Sequence, residues 1–433
     1  MHGSIFAKVF LILIAVDLLL DCYTFMGIRT LTNTWKSAGL RQVVNWGWLG
    51  VVVGITVLLV AGFDSFRHPS GMMPYREWVL SLFLALFVTK LFFAIILLLG
   101  DIGRLLYGLV KRLLRPADAV ADGSRSMAIG TATGEPLIPA RRKFISELGV
   151  LVAAVPFSSF GYAMLRGKYD FRLHKIALHF RDLPEAFDGF TITQVSDIHS
   201  GSFDNVRAVQ RGIDLAKAQN SDLFVFTGDL VNNVAWEIEP YIDRFAALKA
   251  PYGQYSILGN HDYGDYIKWD SLDDKARNLE ALKRHHRDLG YRLLMNEHVL
   301  LEKDGQRIAL IGVQNWGRGF IQLGDLDKAL EGLGNDVFKI CLSHDPTHWE
   351  EKIRFHPTTI HLTLSGHTHG AQFGVESDQW RWSPVQYRYL DWAGLANERD
   401  RYLYVNRGFG FLAFSGRLGI WPEVTVITLK RGV

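Results

Sequence analysis

Apolar and polar positions divide the chain into two regimes. Three long apolar runs come first: Ile5–Phe25, Val43–Phe63 and Trp78–Gly100. A bilayer-crossing helix takes about 20 such residues, so each run is read as a span. A fourth run, Arg141–Leu165, has a basic head, a milder apolar middle and an internal Pro156. It is read as a fourth span over residues 144–165. After Lys168 the runs shorten. His174–Phe180, Phe190–Ser200, Leu223–Asn233 and Tyr255–Asp265 read as strands or as strands entering polar turns, while Asn205–Asn220 and Ile238–Leu248 carry helical spacing. Further strands are expected within Arg307–Trp316, Val337–Pro346, Thr359–Gly370, Arg401–Phe411 and Glu423–Gly432. This second set is expected to form its own sheet, packed on the first. The alternation predicts an α/β domain over residues 170–433, preceded by a four-helix transmembrane domain over 1–165. The stretch 104–143 between the third and fourth spans is expected to be a mobile cytoplasmic loop, being rich in Ala, Gly, Ser and Pro after Pro116.

Charge orients the spans. Arg104, Lys111, Arg112, Arg115, Arg125, Arg141, Arg142 and Lys143 lie between the third and fourth, and Arg29, Lys36 and Arg41 between the first and second. Only Arg67 and Arg76 lie between the second and third, beside Asp64 and Glu77. Basic loops stay cytoplasmic, which places the N-terminus outside and everything after Leu165 on the outer side. The "RRKFIS" at Arg141–Ser146 resembles a twin-arginine export signal and implies the same orientation. Without a clear small-x-small site after it, the segment is expected to stay as an anchor. The expected location is a bacterial inner membrane with an extracytoplasmic domain. Over the whole chain of 433 residues, a net charge of +3 argues against a strong field for nucleic acid. Cys22 and Cys341 are too few and too far apart for a disulfide framework.

Within the spans, Asp17 and Asp21 lie one turn apart and Lys90 falls at similar depth in the third. Intramembrane charges are costly and usually paired. Two readings stand: a pair that locks the bundle, or a proton path or lipid-headgroup site.

The strand ends of the second regime carry Asp197, His199, Asp229, Asn260, His261, Asp262, His344, His367 and His369. Carboxylate, amide oxygen and imidazole without thiolate suit Mn, Fe, Zn or Co. Gly228, Gly259, Gly366 and Gly370 flank several of them and tolerate tight turns. In chain order the motifs are D-x-H, G-D, G-N-H-D, a lone His and G-H-x-H. Together they resemble the calcineurin-like metallophosphoesterase family, in a membrane-anchored bacterial form, across about Phe190 to Gly370. The resemblance implies a four-layer α-β-β-α sandwich and two divalent cations, Mn favoured. Asp229 would bridge them, with Asp197, His199 and His369 on the first and Asn260, His344 and His367 on the second. A water or hydroxide between the cations would attack phosphorus in line. His261 would touch the phosphate or protonate the leaving oxygen, with Asp262 orienting its ring.

Specificity is less legible. Tyr263–Tyr291 follows the His261 turn with aromatics and then a charged helix, whose His285 and His286 read as solvated. Gln379–Trp392 is aromatic and arginine-rich and should flank the site, either as a lid over a phospholipid or lipid-linked pyrophosphate or as packed shielding. Arg407 and Arg417 are candidate phosphate contacts. The expected function is a membrane-anchored phosphohydrolase whose partners are the bilayer and a phosphoester or pyrophosphate of a lipid or the envelope. A soluble phosphodiesterase or nuclease held by a simple anchor is the alternative, and a noncatalytic metal-binding scaffold or sensor a second one.

Overall fold

The computed structural model describes residues 2–62, 73–114, 137–377 and 379–432. It divides into two compact units, one of Met1–Ala61 with Leu82–Gly161, the other of Gly62–Ser81 with Tyr162–Val433.

The first unit is helical. It is made of α1 (His2–Thr32), α2 (Ala38–Gly62) and most of α3 (Met73–Leu113) and α4 (Leu137–Leu165), and among the described residues four helices are long and apolar enough to cross a membrane. Val43, Trp46 and Val57 on α2 are exposed, an apolar surface that water would oppose and lipid would cover. Phe93, Leu97 and Ala153 are buried together, with Tyr23 and Ile145 packed against them. Lys90 lies 2.6 Å from Asp17 and 2.9 Å from Asp21, so both carboxylates share one ammonium. The expected loop over 104–143 is shorter than its composition implies. Residues 104–113 continue α3 and 137–143 open α4, because Leu105, Leu106, Leu109 and Val110 keep the helical run going. The loop's middle, 115–136, lies outside the described residues.

The second unit is a sandwich of two six-stranded sheets. The first sheet holds β1 (Arg172–Phe180), β2 (Thr191–Val195), β3 (Leu223–Phe226), β4 (Gln254–Ser256) and β5 (Arg292–Leu293). The second begins with β6 (Glu297–Lys303), β7 (Gln306–Gly312), β8 (Phe338–Leu342) and β9 (Leu362–Ser365). A short pair, β10 (Val375–Glu376) and β11 (Arg381–Trp382), precedes β12 (Gly394–Glu398) and β13 (Arg401–Val405), which complete the second sheet. The final strand β14 (Glu423–Arg431) does not join them. It inserts in the first sheet between β1 and β2, parallel to β1 and antiparallel to β2. Its buried Val424, Ile427 and Leu429 explain the placement, since an internal strand covers both faces.

Alternation along each strand builds the layers. On β3, Leu223 and Val225 enter the core between the sheets. Phe224 and Phe226 point the other way, to the core that includes Val209 and Ile213 of α5 (Val206–Lys217). On β8, Phe338, Ile340 and Leu342 face the inner core while Cys341 packs with Trp349 on the opposite face. Helices thus cover both outer faces, giving the four-layer sandwich. The expected helix at Ile238–Leu248 is instead a 3-10 stretch, Ala235–Tyr241, running into a single turn α6 (Ile242–Phe245). Pro240 has no amide hydrogen and forbids a regular helix there.

Candidate metal centre

Strands β2, β3 and β4 are parallel neighbours, so the turns that follow them lie side by side. They carry Asp197 and His199, then Asp229, then Asn260 and His261. In the second sheet β8 and β9 are also parallel neighbours, and their turns carry His344, then His367 and His369. The turns are unusual in their backbone. Asp197, His199, Asp229, His367 and His369 have φ of 52°, 46°, 61°, 74° and 50°. Left-handed φ is costly for residues with a Cβ and concentrates at functional sites. Glycines serve close approach instead. A Cβ on Gly259 would stand 2.2 Å from Asp229 Oδ1, and one on Gly366 would stand 2.2 Å from Asp197 Oδ2.

These turns bring two groups of ligand atoms together, Asp197–His199–His369 and Asp229–His344–His367, each within a span of 4.8 Å. The Asp229 carboxylate lies between them, 3.5 Å from His199 Nε2 and 3.2 Å from His344 Nε2. His369 Nε2 is 3.3 Å from Asp197 Oδ1. His199 Nε2, His344 Nε2, His367 Nδ1, His369 Nε2 and Asn260 Oδ1 are all buried and make no hydrogen bond. An unpaired buried polar atom costs about 1–3 kcal/mol, so so many in one place need a common partner. Lone pairs of nitrogen and oxygen with no donor nearby fit divalent cations.

The outer ring nitrogens explain why those lone pairs are free. His344 Nδ1–H donates to the Thr227 carbonyl at 2.7 Å, and His199 Nδ1–H to Asn232 Oδ1 at 3.1 Å. His367 Nε2 lies 2.8 Å from Tyr389 Oη and 3.3 Å from Asp345 Oδ2. Such partners fix the tautomer and leave the other nitrogen for a metal. His369 differs. Its Nδ1 lies 3.0 Å from Arg417 Nη2, whose two hydrogens have nearer acceptors in the Gly410 and Arg407 carbonyls at 2.6 and 2.8 Å. Charge in the cluster is unbalanced without a cation. Burial alone would raise Asp229, but the His344 and His261 rings outweigh it and hold the carboxyl well below the usual range. Burial opposes charge on His344, but Asp229 beside it outweighs the burial and raises the ring to about 10, so without a cation a proton takes the place between the two acceptors. Burial, reinforced by Asp229, lifts Asp197 to about 6. Positive charge is what the site draws in.

Three expectations change. Asp262 does not orient His261. Its carboxylate accepts the backbone amides of Gly259, Asp229 and Leu230 at 2.8, 2.9 and 2.8 Å, tying two turns together, because it points back under the loop. The His261 ring is instead held by Nδ1–H donation to the Asn232 carbonyl at 2.8 Å, and it packs 4.3 Å from the Tyr266 ring. Arg407 and Arg417 are not free for phosphate. Arg407 is buried between Glu376 and Glu423, and Arg417 is spent on backbone carbonyls. His286 is not solvated. It lies on the inner face of α7 (Leu272–Asp288), one turn from buried Leu282, with Nδ1 2.9 Å from Ser256 Oγ. Asn232, Asp345, Tyr266 and Tyr389 escaped the sequence reading. Only nearness to a motif could have flagged Asn232 and Asp345, three residues after Asp229 and next to His344.

Residues 190–371 match the family model for calcineurin-like phosphoesterase. The chain carries a calcineurin-like phosphoesterase domain. Residues 7–168 match a second model, described as "Probable Calcineurin-like phosphoesterase, transmembrane domain". The phosphoesterase is 27% identical over 301 residues to "Uncharacterized metallophosphoesterase YkuE" of Bacillus subtilis, covering 67% of this chain and 97% of that protein. It is 27% identical over 260 residues to "Transmembrane protein with metallophosphoesterase domain" of Danio rerio, covering 58% and 55%. It is also 26% identical over 281 residues to "UDP-2,3-diacylglucosamine pyrophosphatase LpxG" of Chlamydia trachomatis, covering 53% and 81%. This phosphoesterase is therefore a membrane-associated, metal-dependent phosphoric ester hydrolase.

Proposed function

We propose that this phosphoesterase cleaves a phosphoester or pyrophosphate bond of a lipid or lipid-linked substrate on the extracytoplasmic face of a bacterial inner membrane. Asp197, His199 and His369 would hold one cation, Asn260, His344 and His367 the other, and Asp229 would reach both. When bound, two divalent cations, Mn favoured, neutralise phosphoryl charge and activate a water. The chain supplies the rest. His261 keeps its Nδ1 proton on the Asn232 carbonyl, so Nε2 is the atom left for a phosphoryl or leaving oxygen. Tyr266 donates no charge but pins two groups at once, packing on His261 and accepting from Asn260 Nδ2 at 2.7 Å.

The observation that carries the lipid reading is the surface beside His367. Tyr389, its partner, is followed by Leu390 and preceded by Arg388 and Tyr387, all exposed; Tyr387 is 80% and Leu390 73% exposed. The Arg388 guanidinium lies 5.1 Å from the Phe320 ring and 5.4 Å from the Tyr389 ring. An exposed aromatic, aliphatic and guanidinium together suit a headgroup and its acyl chains. The pyrophosphatase named among the relatives supports the same substrate class. The outward orientation rests on the distribution of basic residues between spans.

The test is phosphate release by the full-length protein in detergent with Mn, on soluble monoester, soluble diester and phospholipid or lipid-pyrophosphate substrates, with His261→Ala as the blank. The reading expects the lipid substrates to lead, and Tyr387→Ser/Leu390→Ser to abolish that lead while sparing soluble esters. Soluble esters turned over as fast as the lipid substrates by the unsubstituted protein, or a lipid lead that survives the substitution, would overturn it.

A further inference from the structure

The first turns of α3 are part of the phosphoesterase unit, and their side chains are built into it. Trp78 Nε1–H donates to Asp204 Oδ2 at 2.8 Å, and Ser81 Oγ accepts the Ser415 amide at 2.6 Å. Glu77, just before them, is buried, 7% exposed, and accepts the Ser202 hydroxyl at 2.6 Å. A carboxylate is rarely buried without a task. This one starts a chain of hydrogen bonds that reaches His199.

Ser202 has a single hydrogen, and Glu77 takes it. Ser202 Oγ can then only accept, and Asn232 Nδ2 donates to it at 3.0 Å. That fixes which way the Asn232 amide faces. Its Oδ1 is turned to His199 Nδ1, so His199 must carry its proton on Nδ1, leaving the buried and unpaired Nε2 as a lone pair. A second carboxylate, Glu237, accepts the backbone N–H of Asn232 at 2.5 Å and leaves the side chain to the Ser202 branch. Removing the Glu77 acceptor frees the Ser202 hydrogen. Asn232 Oδ1, 3.4 Å from Ser202 Oγ, is then its nearest acceptor. An amide rotated to receive it would present Nδ2 to His199, which demands the other tautomer, with hydrogen on Nε2. That tautomer cannot bind a cation.

We propose that Glu77, at the head of a candidate membrane span, is a positioning residue of the metal centre: through Ser202 and Asn232 it selects the His199 tautomer that binds the first cation. The proposal concerns cation binding alone and does not depend on which ester is cleaved. It makes the α3 head part of the site's wiring, and it means that a chain cut after the membrane helices lacks one of the site's determinants.

The experiment measures Mn²⁺ stoichiometry and affinity in the full-length, metal-stripped protein in detergent, with Co²⁺ absorption as a second readout of ligand geometry. Glu77→Ala is expected to weaken one of the two sites by about 10–100-fold, the size of effect usual for partners of a metal-bound histidine, and to leave the other unchanged. Glu77→Gln, whose amide oxygen can still accept the Ser202 hydrogen, is expected to recover most of that affinity. Trp78→Phe breaks a neighbouring contact of the same helix head without touching the chain, and both sites should bind normally. Should Glu77→Ala not fold, Glu77→Met fills the same space without an acceptor for the Ser202 hydrogen and must show the same one-site loss. Wild-type binding at both sites in Glu77→Ala or Glu77→Met overturns the proposal. So does an equal loss in Trp78→Phe, or a Glu77→Gln protein as weak as Glu77→Ala.

Discussion

In the four-helix unit, Lys90 stands within 2.9 Å of both Asp17 and Asp21, and the charges answer one another. In the phosphoesterase unit, Asp197, Asp229 and the surrounding histidines are equally buried, yet the atoms that converge are acceptors facing acceptors. The first arrangement holds a fold together, since the alternative is an uncompensated charge in an apolar medium. The second opposes its own fold until something positive arrives. The contrast teaches how to tell a buried charge that is structure from one that is a site. The sign of the partners decides it, and burial alone does not. The left-handed φ of five of the candidate ligands points the same way, because strain of that kind persists only where the surroundings enforce it.

The largest effect should come from the shared carboxylate. Asp229→Asn is expected to cut turnover by at least about 10³-fold and to lower metal stoichiometry, because it removes the one group that reaches both ligand sets. Full activity in that variant would break the two-cation side of the comparison. Next comes His261→Ala. Its ring takes no part in either ligand group, so kcat should fall by about 10²–10⁴-fold while metal content stays at the wild-type value. Loss of metal instead would make His261 a ligand. Lys90→Met tests the other side. It strands two carboxylates and should destabilise the helical unit by roughly 3–5 kcal/mol, read as a lower unfolding temperature in detergent. Protein that remains folded should keep its metal and its turnover. A selective loss of turnover there would mean that the membrane charges serve the reaction.

The residues that meet in the candidate metal centre could be picked out because they sit in short motifs at strand ends, and parallel strands of one sheet deliver their following turns to one edge. What held those residues in place was not legible. The partner of His261 is a backbone carbonyl, which every residue has, so sequence favoured the adjacent Asp262 and was wrong. Arg417 and Arg407 looked like phosphate ligands because an arginine beside glycines usually serves an anion. Here they fill the fold's own acceptors. The path of β14 was hidden because nothing local in "EVTVITLKRG" says which sheet a buried strand joins. The membrane spans were clear as apolar runs, but their ends were not. Glu77 reads as the polar flank of a span, and only the fold shows it buried beside Ser202.

His286 gives the finest test, because it imitates the site in one respect. Its Nε2 is buried and unpaired, like the metal-facing nitrogens. It stands apart from any such group, with Ser256 on Nδ1 and Phe226 beside the ring. By the comparison it should bind nothing and act only on stability. Burial lowers its pKa to about 3, so the folded chain keeps it neutral while the unfolded chain takes up a proton below about 6.5. Its contribution is therefore complete above about pH 6.5 and is lost as pH falls towards 3. Between pH 6.5 and 4.5 this amounts to about 2–3 kcal/mol. In His286→Gln the acid limb of the stability curve should flatten by that amount, with Mn²⁺ stoichiometry unchanged, as read by chemical unfolding at a series of pH values. An unchanged acid limb would mean that the ring is not buried neutral. A change in metal stoichiometry would mean that a lone unpaired nitrogen, without convergence, is enough to matter to the site.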